Sequence, residues 1–132
     1  MTSSVLTFPG WIALAACGAA GTLCRYALGG WMARATGGTF PWETCVINLS
    51  GCLVIGAIAA AVDRGAAIPP ATRIAIMVGF LGGYTTFSSF GLESFRLLAD
   101  AQWARALAYV ALSNVGGLAC VWAGYRALQL WG

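Results

Sequence analysis

The chain has 132 residues, of which 60% are hydrophobic and only 8% charged, with a formal net charge of +3 and no His. Soluble domains carry roughly 25% charged residues, so a water-soluble globule is excluded, because it could not solvate its own surface. Four carboxylates (Glu43, Asp63, Glu93, Asp100) without any imidazole leave almost no material for acid–base or metal-assisted catalysis, and the chain reads as a non-enzyme.

A bilayer span needs about 20 mostly apolar residues in a row, and four stretches meet that length, at roughly 11–32, 42–62, 73–98 and 105–130. They predict an all-α membrane protein of four transmembrane helices. It would be a single domain over 1–132, multi-pass in the plasma (inner) membrane, with lipid around it and no nucleic-acid partner. The segment ahead of the first span has no Lys or Arg, so it lacks the basic n-region of a cleavable signal peptide and the first span is read as permanent. All five Cys lie inside predicted spans without C-x-x-C spacing, which fits small packing residues rather than a disulfide framework or a metal site.

The first span holds Gly18, Gly21 and then Arg25. An intramembrane Arg is costly enough to be read as functional by default. Its long side chain can snorkel to an aqueous vestibule and attract anions.

The second span carries Asn48 in Asn48-Leu49-Ser50-Gly51. A polar amide facing lipid is costly and must find partners. Its NH₂ can bind an anion, or the side chain can tie two helices together, and the spacing does not choose.

The third span contains the most informative stretch, Gly79-Phe80-Leu81-Gly82-Gly83-Tyr84-Thr85-Thr86-Phe87-Ser88-Ser89-Phe90. Two adjacent Gly followed by two Thr make a poor helix interior. In lipid an unwound backbone survives only where protein or a polar cavity buries it, so the third helix is expected to break near the midplane. Carbonyls freed between Gly82 and Thr85 could ligate a small cation, and N–H groups opening the second half could face an anion. A simple kink with the hydroxyls bonded back to the helix is the alternative. Phe87 and Phe90 are three apart and share a face. Two rings usually mean lipid contact or core packing, but Thr86, Ser88 and Ser89 surround this pair, and a ring's positive edge can meet an anion without a formal charge. Glu93 follows, with Arg96 placed to pair with it along the helix and the polar track or Arg25 as other contacts.

In the fourth span Tyr109 and Ser113 are four apart, with Gly117 next on the stripe. They form a narrow line of hydroxyls, or one interhelical hydrogen bond. Small residues throughout, among them Gly51, Gly56, Gly116 and Gly124, permit the close helix contacts that association in lipid requires.

Four spans put both ends and the middle loop on one side. That side holds Arg64, Arg73 and Arg126; the other holds Arg34, Arg96 and Arg105. Orientation follows an excess of cations in cytoplasmic loops, and three against three gives none. Insertion both ways up is expected, which makes an antiparallel homodimer of inverted copies possible. A weak bias that fixes one orientation is the alternative.

On these motifs the chain resembles the Fluc (CrcB) family of fluoride channels over nearly its full length. The resemblance rests on Gly21 to Tyr26, on Asn48-Leu49-x-Gly51, and above all on Gly79 to Phe90. It implies a fluoride-selective passive channel exporting cytoplasmic fluoride, built as an antiparallel dual-topology homodimer with a structural sodium ion at the dimer interface. By matching position, the sodium carbonyls are those of Gly82 and Thr85, the fluoride aromatics are Phe87 and Phe90, and Asn48 is the pore amide. Thr44, Thr86, Ser88, Glu93, Tyr109 and Ser113 line or flank the pore, and Arg25 makes the vestibule positive. Ser89 stands where Thr is usual, which keeps the hydroxyl. Gly117 stands where some relatives have a further hydroxyl, so the polar track is shorter or completed by water.

Two other classes compete. A small antiparallel four-helix drug exporter coupled to protons needs a titratable midplane carboxylate, which only Glu93 could supply. A non-transporting assembly subunit would leave the clustering of hydroxyls, Phe and Asn around a helix break unexplained.

Overall fold

In the computed structural model, which describes residues 6–130, the chain is all-helical with four helical stretches apolar enough to cross a membrane. Helix α1 is Phe8–Thr36 and α2 is Trp42–Asp63. The third span, Pro70–Ala99, is interrupted. Its first half, α3 (residues 70–84), joins Pro70–Ile74, a π-helical turn at Ala75–Phe80 and Leu81–Tyr84; its second half, α4, is Phe87–Ala99. The fourth span, α5, runs Trp103–Leu130 and contains a second π-helical turn at Leu112–Gly116.

Local chemistry accounts for the ends. Pro9 is the second residue of α1, within the first turn where its missing N–H costs nothing. Gly37 stops α1 in the left-handed conformation, at φ 70°. The hairpin between α4 and α5 closes with the N–H of Gln102 donating to Leu97 O (2.8 Å) and that of Ala101 to Leu98 O (3.0 Å). This reciprocal pair places Ala101 at φ 56°, a position that usually takes glycine.

Two helix pairs form the body: α1 lies along α3, and α2 lies along the second half of α5. Both contacts are backbone-close. A methyl group on Gly83 would strike the Gly18 carbonyl of α1, and one on Gly56 would strike the Val121 carbonyl of α5. Lipid gives no hydrophobic drive between helices, so this close approach is what holds them. The π-helical turn in α3 coincides with its seam on α1, where Gly83 packs against Gly18 while Gly82 faces outward, and both glycines stay helical. The break falls at Thr85 and Thr86, at the end of the expected Gly-Gly-Tyr-Thr-Thr stretch.

Candidate functional site

At Thr85 and Thr86 the backbone is extended (ψ 160° and 113°), and the helix restarts at Phe87. An interrupted helix strands main-chain donors and acceptors, which must be satisfied in lipid. Asn48 of α2 does this for Thr86: its Oδ1 accepts from the Thr86 N–H at 2.8 Å and its Nδ2 donates to the Thr86 carbonyl at 3.0 Å. The side-chain amide thus behaves as a strand-like partner for both backbone groups of Thr86. The tie is real, and one of the two Nδ2 hydrogens remains free for a ligand.

Thr86, buried, caps α4. Its Oγ1 accepts from the Ser89 N–H (3.2 Å), donates to Ser89 Oγ (3.0 Å) and lies 3.4 Å from Ser88 Oγ. A Thr at this position satisfies one of the helix's orphan donors; the remaining N–H groups of the first turn carry the positive end of the helix dipole. Thr85 turns its hydroxyl back to Leu81 O (2.9 Å), so it is not a pore hydroxyl in this arrangement.

A cavity of about 350 Å³ opens beside the break. Asn48, Gly82, Thr85, Thr86, Phe87, Phe90 and Ser113 all line it. The rings of Phe87 and Phe90 are 5.6 Å apart and tilted by 42°. Phe90 is half-buried against Tyr109, at 5.2 Å, whereas Phe87 is 82% exposed on a single chain. Ser113 Oγ is buried there without a hydrogen-bond partner. An orphaned buried hydroxyl is costly unless something binds it.

Glu93, Thr44 and Tyr109 form a separate cluster. Thr44 Oγ1 donates to Glu93 Oε1 at 2.8 Å and the Tyr109 hydroxyl donates to Oε2 at 2.6 Å. Both carboxylate oxygens are taken by α2 and α5, rather than by Arg96 or Arg25. Tyr109 is fully buried, wedged between Phe40 (5.5 Å) and Phe90. The π-helical turn at Leu112–Gly116 falls between Tyr109 and Gly117 and adds a residue to that turn. Tyr109 accordingly serves Glu93 while Ser113 faces the main cavity, and the single stripe expected from their spacing is split.

Arg25 lines a second cavity of about 380 Å³ with Arg34, Glu43, Thr44, Thr86 and Ser89. This vestibule adjoins the break, since Thr86 lines both spaces. Spacing missed three features: the Thr86 cap, legible as a Thr opening an apolar run; the Ser50 hydroxyl at 2.8 Å from the Tyr84 hydroxyl; and Glu43 in the vestibule wall. Among the described residues no group of three or more His, Cys, Asp or Glu could hold a metal, and the five thiols are free.

The fold and site define a multi-pass membrane protein whose polar groups converge on a broken helix, the device by which channels and transporters meet ions within a bilayer. The chain belongs to the CrcB-like family, described as CrcB-like protein, Camphor Resistance (CrcB), whose profile matches residues 12–125. It is 48% identical over 111 residues to a protein of Citrifermentans bemidjiense named fluoride-specific ion channel FluC, covering 84% of this chain and 90% of that one. A FluC of Nitrosococcus oceani is 41% identical over 120 residues, covering 91% and 94%. A FluC 2 of Symbiobacterium thermophilum is 40% identical over 119 residues, covering 89% and 96%.

Proposed function

We propose that this chain is a fluoride-selective passive channel of the inner membrane, working as an antiparallel homodimer. What carries the proposal is the interruption of the third span at Thr85 and Thr86 beside two Phe rings and an unpartnered hydroxyl in one cavity. The ion is taken from the relatives' name, fluoride-specific ion channel.

A small, tightly hydrated anion gives up its water only to several replacement donors. The first-turn N–H groups of α4, the Ser88 and Ser113 hydroxyls, the free Nδ2 hydrogen of Asn48 and the positive edges of Phe87 and Phe90 are such donors. None carries a full charge, so binding stays weak enough for the ion to leave. Arg25 raises the anion concentration in the vestibule. Thr86 positions Ser88 and Ser89, while Thr44 and Tyr109 hold Glu93 beside the path. With both carboxylate oxygens occupied, Glu93 makes a poor proton-coupling site, and nothing favours the drug-exporter alternative. Export needs no coupling: HF crosses membranes uncharged, dissociates in a near-neutral cytoplasm, and the trapped anion leaves down its gradient.

The homodimer is supported by what one chain leaves uncovered. Helix α1 exposes Leu23, Tyr26 and Trp31, and Gly82 and Phe87 face outward. The balanced Arg count allows the partner to be inverted. The residues at the break also suit sodium. The Thr86 N–H that would close a helical bond to the Gly82 carbonyl goes to Asn48, so that carbonyl is left open for a hard cation. Gly82 and Thr85 would supply two carbonyls, and a second copy the other two. When bound, the ion would add the positive charge that joins the two breaks.

Fluoride efflux from liposomes containing only this purified protein, read with a fluoride electrode and with chloride as control, tests the proposal. Fast fluoride and no chloride efflux is expected. Efflux no faster than from protein-free liposomes overturns it. A C-terminal tag found on a single face of the membrane overturns the antiparallel assembly.

A further inference from the structure

Glu43 takes part in none of the contacts above. It sits in the first turn of α2, half-buried, and its Oε2 is buried without a hydrogen-bond partner. It also stands between two spaces. One is the Arg25 vestibule; the other, about 300 Å³, lies under the 38–41 loop and is bounded by Glu93, Arg96 and Asp100. Among the described residues Glu43 alone lines both. The charged groups facing it are therefore Arg25 and Arg34 from α1, and Glu93, Arg96 and Asp100 from α4 and its cap.

We infer that Glu43 sets the anion occupancy of the vestibule and so limits the rate at which fluoride reaches the break; the inference rests on the fluoride reading above. Arg25 and Arg34 bring two positive charges to that space and Glu43 one negative, leaving a net formal charge of +1 where Gln at 43 would leave +2. Glu43 stands in the first turn of α2, at the positive end of that helix's dipole. Its Oε2 is buried without a hydrogen-bond partner, so its field on the adjoining space is not cancelled by a close pair at that atom. Low-dielectric walls make such a field count for more than it would in water. Thr86 and Ser89 line the same vestibule, so the ions it governs lie next to the interrupted helix. Glu43 is thus a rate-setting residue that touches neither the rings nor the helix break.

The test is initial fluoride efflux for the wild type, Glu43→Gln and Arg34→Gln in liposomes, at about 10 mM and about 1 M ionic strength. At the lower salt Glu43→Gln should conduct about threefold faster or more, and Arg34→Gln slower by a similar factor. At the higher salt, where the screening length shrinks to about 3 Å, both ratios should approach one. A structural role for the side chain would not follow salt in this way. Equal or slower flux in Glu43→Gln at low salt, or a gain that persists undiminished at high salt, overturns the inference while leaving the channel reading intact. Should Glu43→Gln fail to give monodisperse protein, unchanged flux in Arg34→Gln at low salt overturns it instead. A wild type that releases no fluoride sinks the channel reading itself, and with it this inference.

Discussion

Truncating Asn48 to Ala should loosen the helix break more than any other polar change in the chain. The variant removes two hydrogen bonds at once, at 2.8 and 3.0 Å, from the backbone of Thr86, which is 8% exposed. The two losses are unequal. The Thr86 carbonyl keeps the first intrahelical bond of α4, as a cap residue's carbonyl does. The Thr86 N–H is left with no acceptor, and a stranded buried donor costs about 1–3 kcal/mol. Interhelical hydrogen bonds in membranes average only about 0.6 kcal/mol, with a maximum near 1.7, because the unfolded chain in the membrane also finds partners. Two bonds at one residue then give a loss of about 1–3 kcal/mol. Equilibrium unfolding in mixed micelles measures it, and fluoride efflux measures the accompanying loss of geometry. Ser50→Ala is the control on the same helix: it removes the contact to the Tyr84 hydroxyl at 2.8 Å but leaves Thr86 tied. It should cost some stability without lowering flux. An Asn48→Ala protein with wild-type stability and wild-type flux would refute the claim that this amide holds the break.

Phe87→Ile should lower fluoride flux about tenfold, equivalent to about 1.4 kcal/mol on the barrier, while the protein stays folded by size-exclusion chromatography. Wild-type flux would mean the ring is not a ligand. Gly83→Leu should prevent α1 from closing on α3, since the new side chain would meet the Gly18 carbonyl; a cost of about 1–3 kcal/mol or more is expected, read by equilibrium unfolding in mixed micelles. Wild-type stability would show that this seam is not tight. Ala101→Gly should stabilise the chain by about 0.5–1 kcal/mol in the same unfolding assay, because Ala101 sits at φ 56° in a reciprocal turn that favours glycine; a destabilised variant would contradict that turn.

Much of this architecture was legible before any coordinates. The membrane restricts a chain to long apolar helices and forbids unpaired backbone in lipid, so composition alone implied four spans, and the Gly-Gly-x-Thr-Thr pattern implied a broken one. The residues gathered at the break were legible too, because Asn48, the Phe pair and the hydroxyls are anomalies in an otherwise apolar chain.

What periodicity could not supply was decided between helices. Asn48 of α2 captures the N–H and carbonyl of Thr86, so the break settles there while Gly83 stays helical against α1. Glu93 could have paired with Arg96 three residues away; hydroxyls from α2 and α5 reach its oxygens instead. Ser113 lies within the π-helical turn that follows Tyr109, and one lines the cavity while the other is in the core. Burial in lipid is a property of each segment, written locally in its side chains. The partner of a polar group is a property of the packed whole, because a stranded donor takes whichever acceptor the neighbouring helix brings within reach.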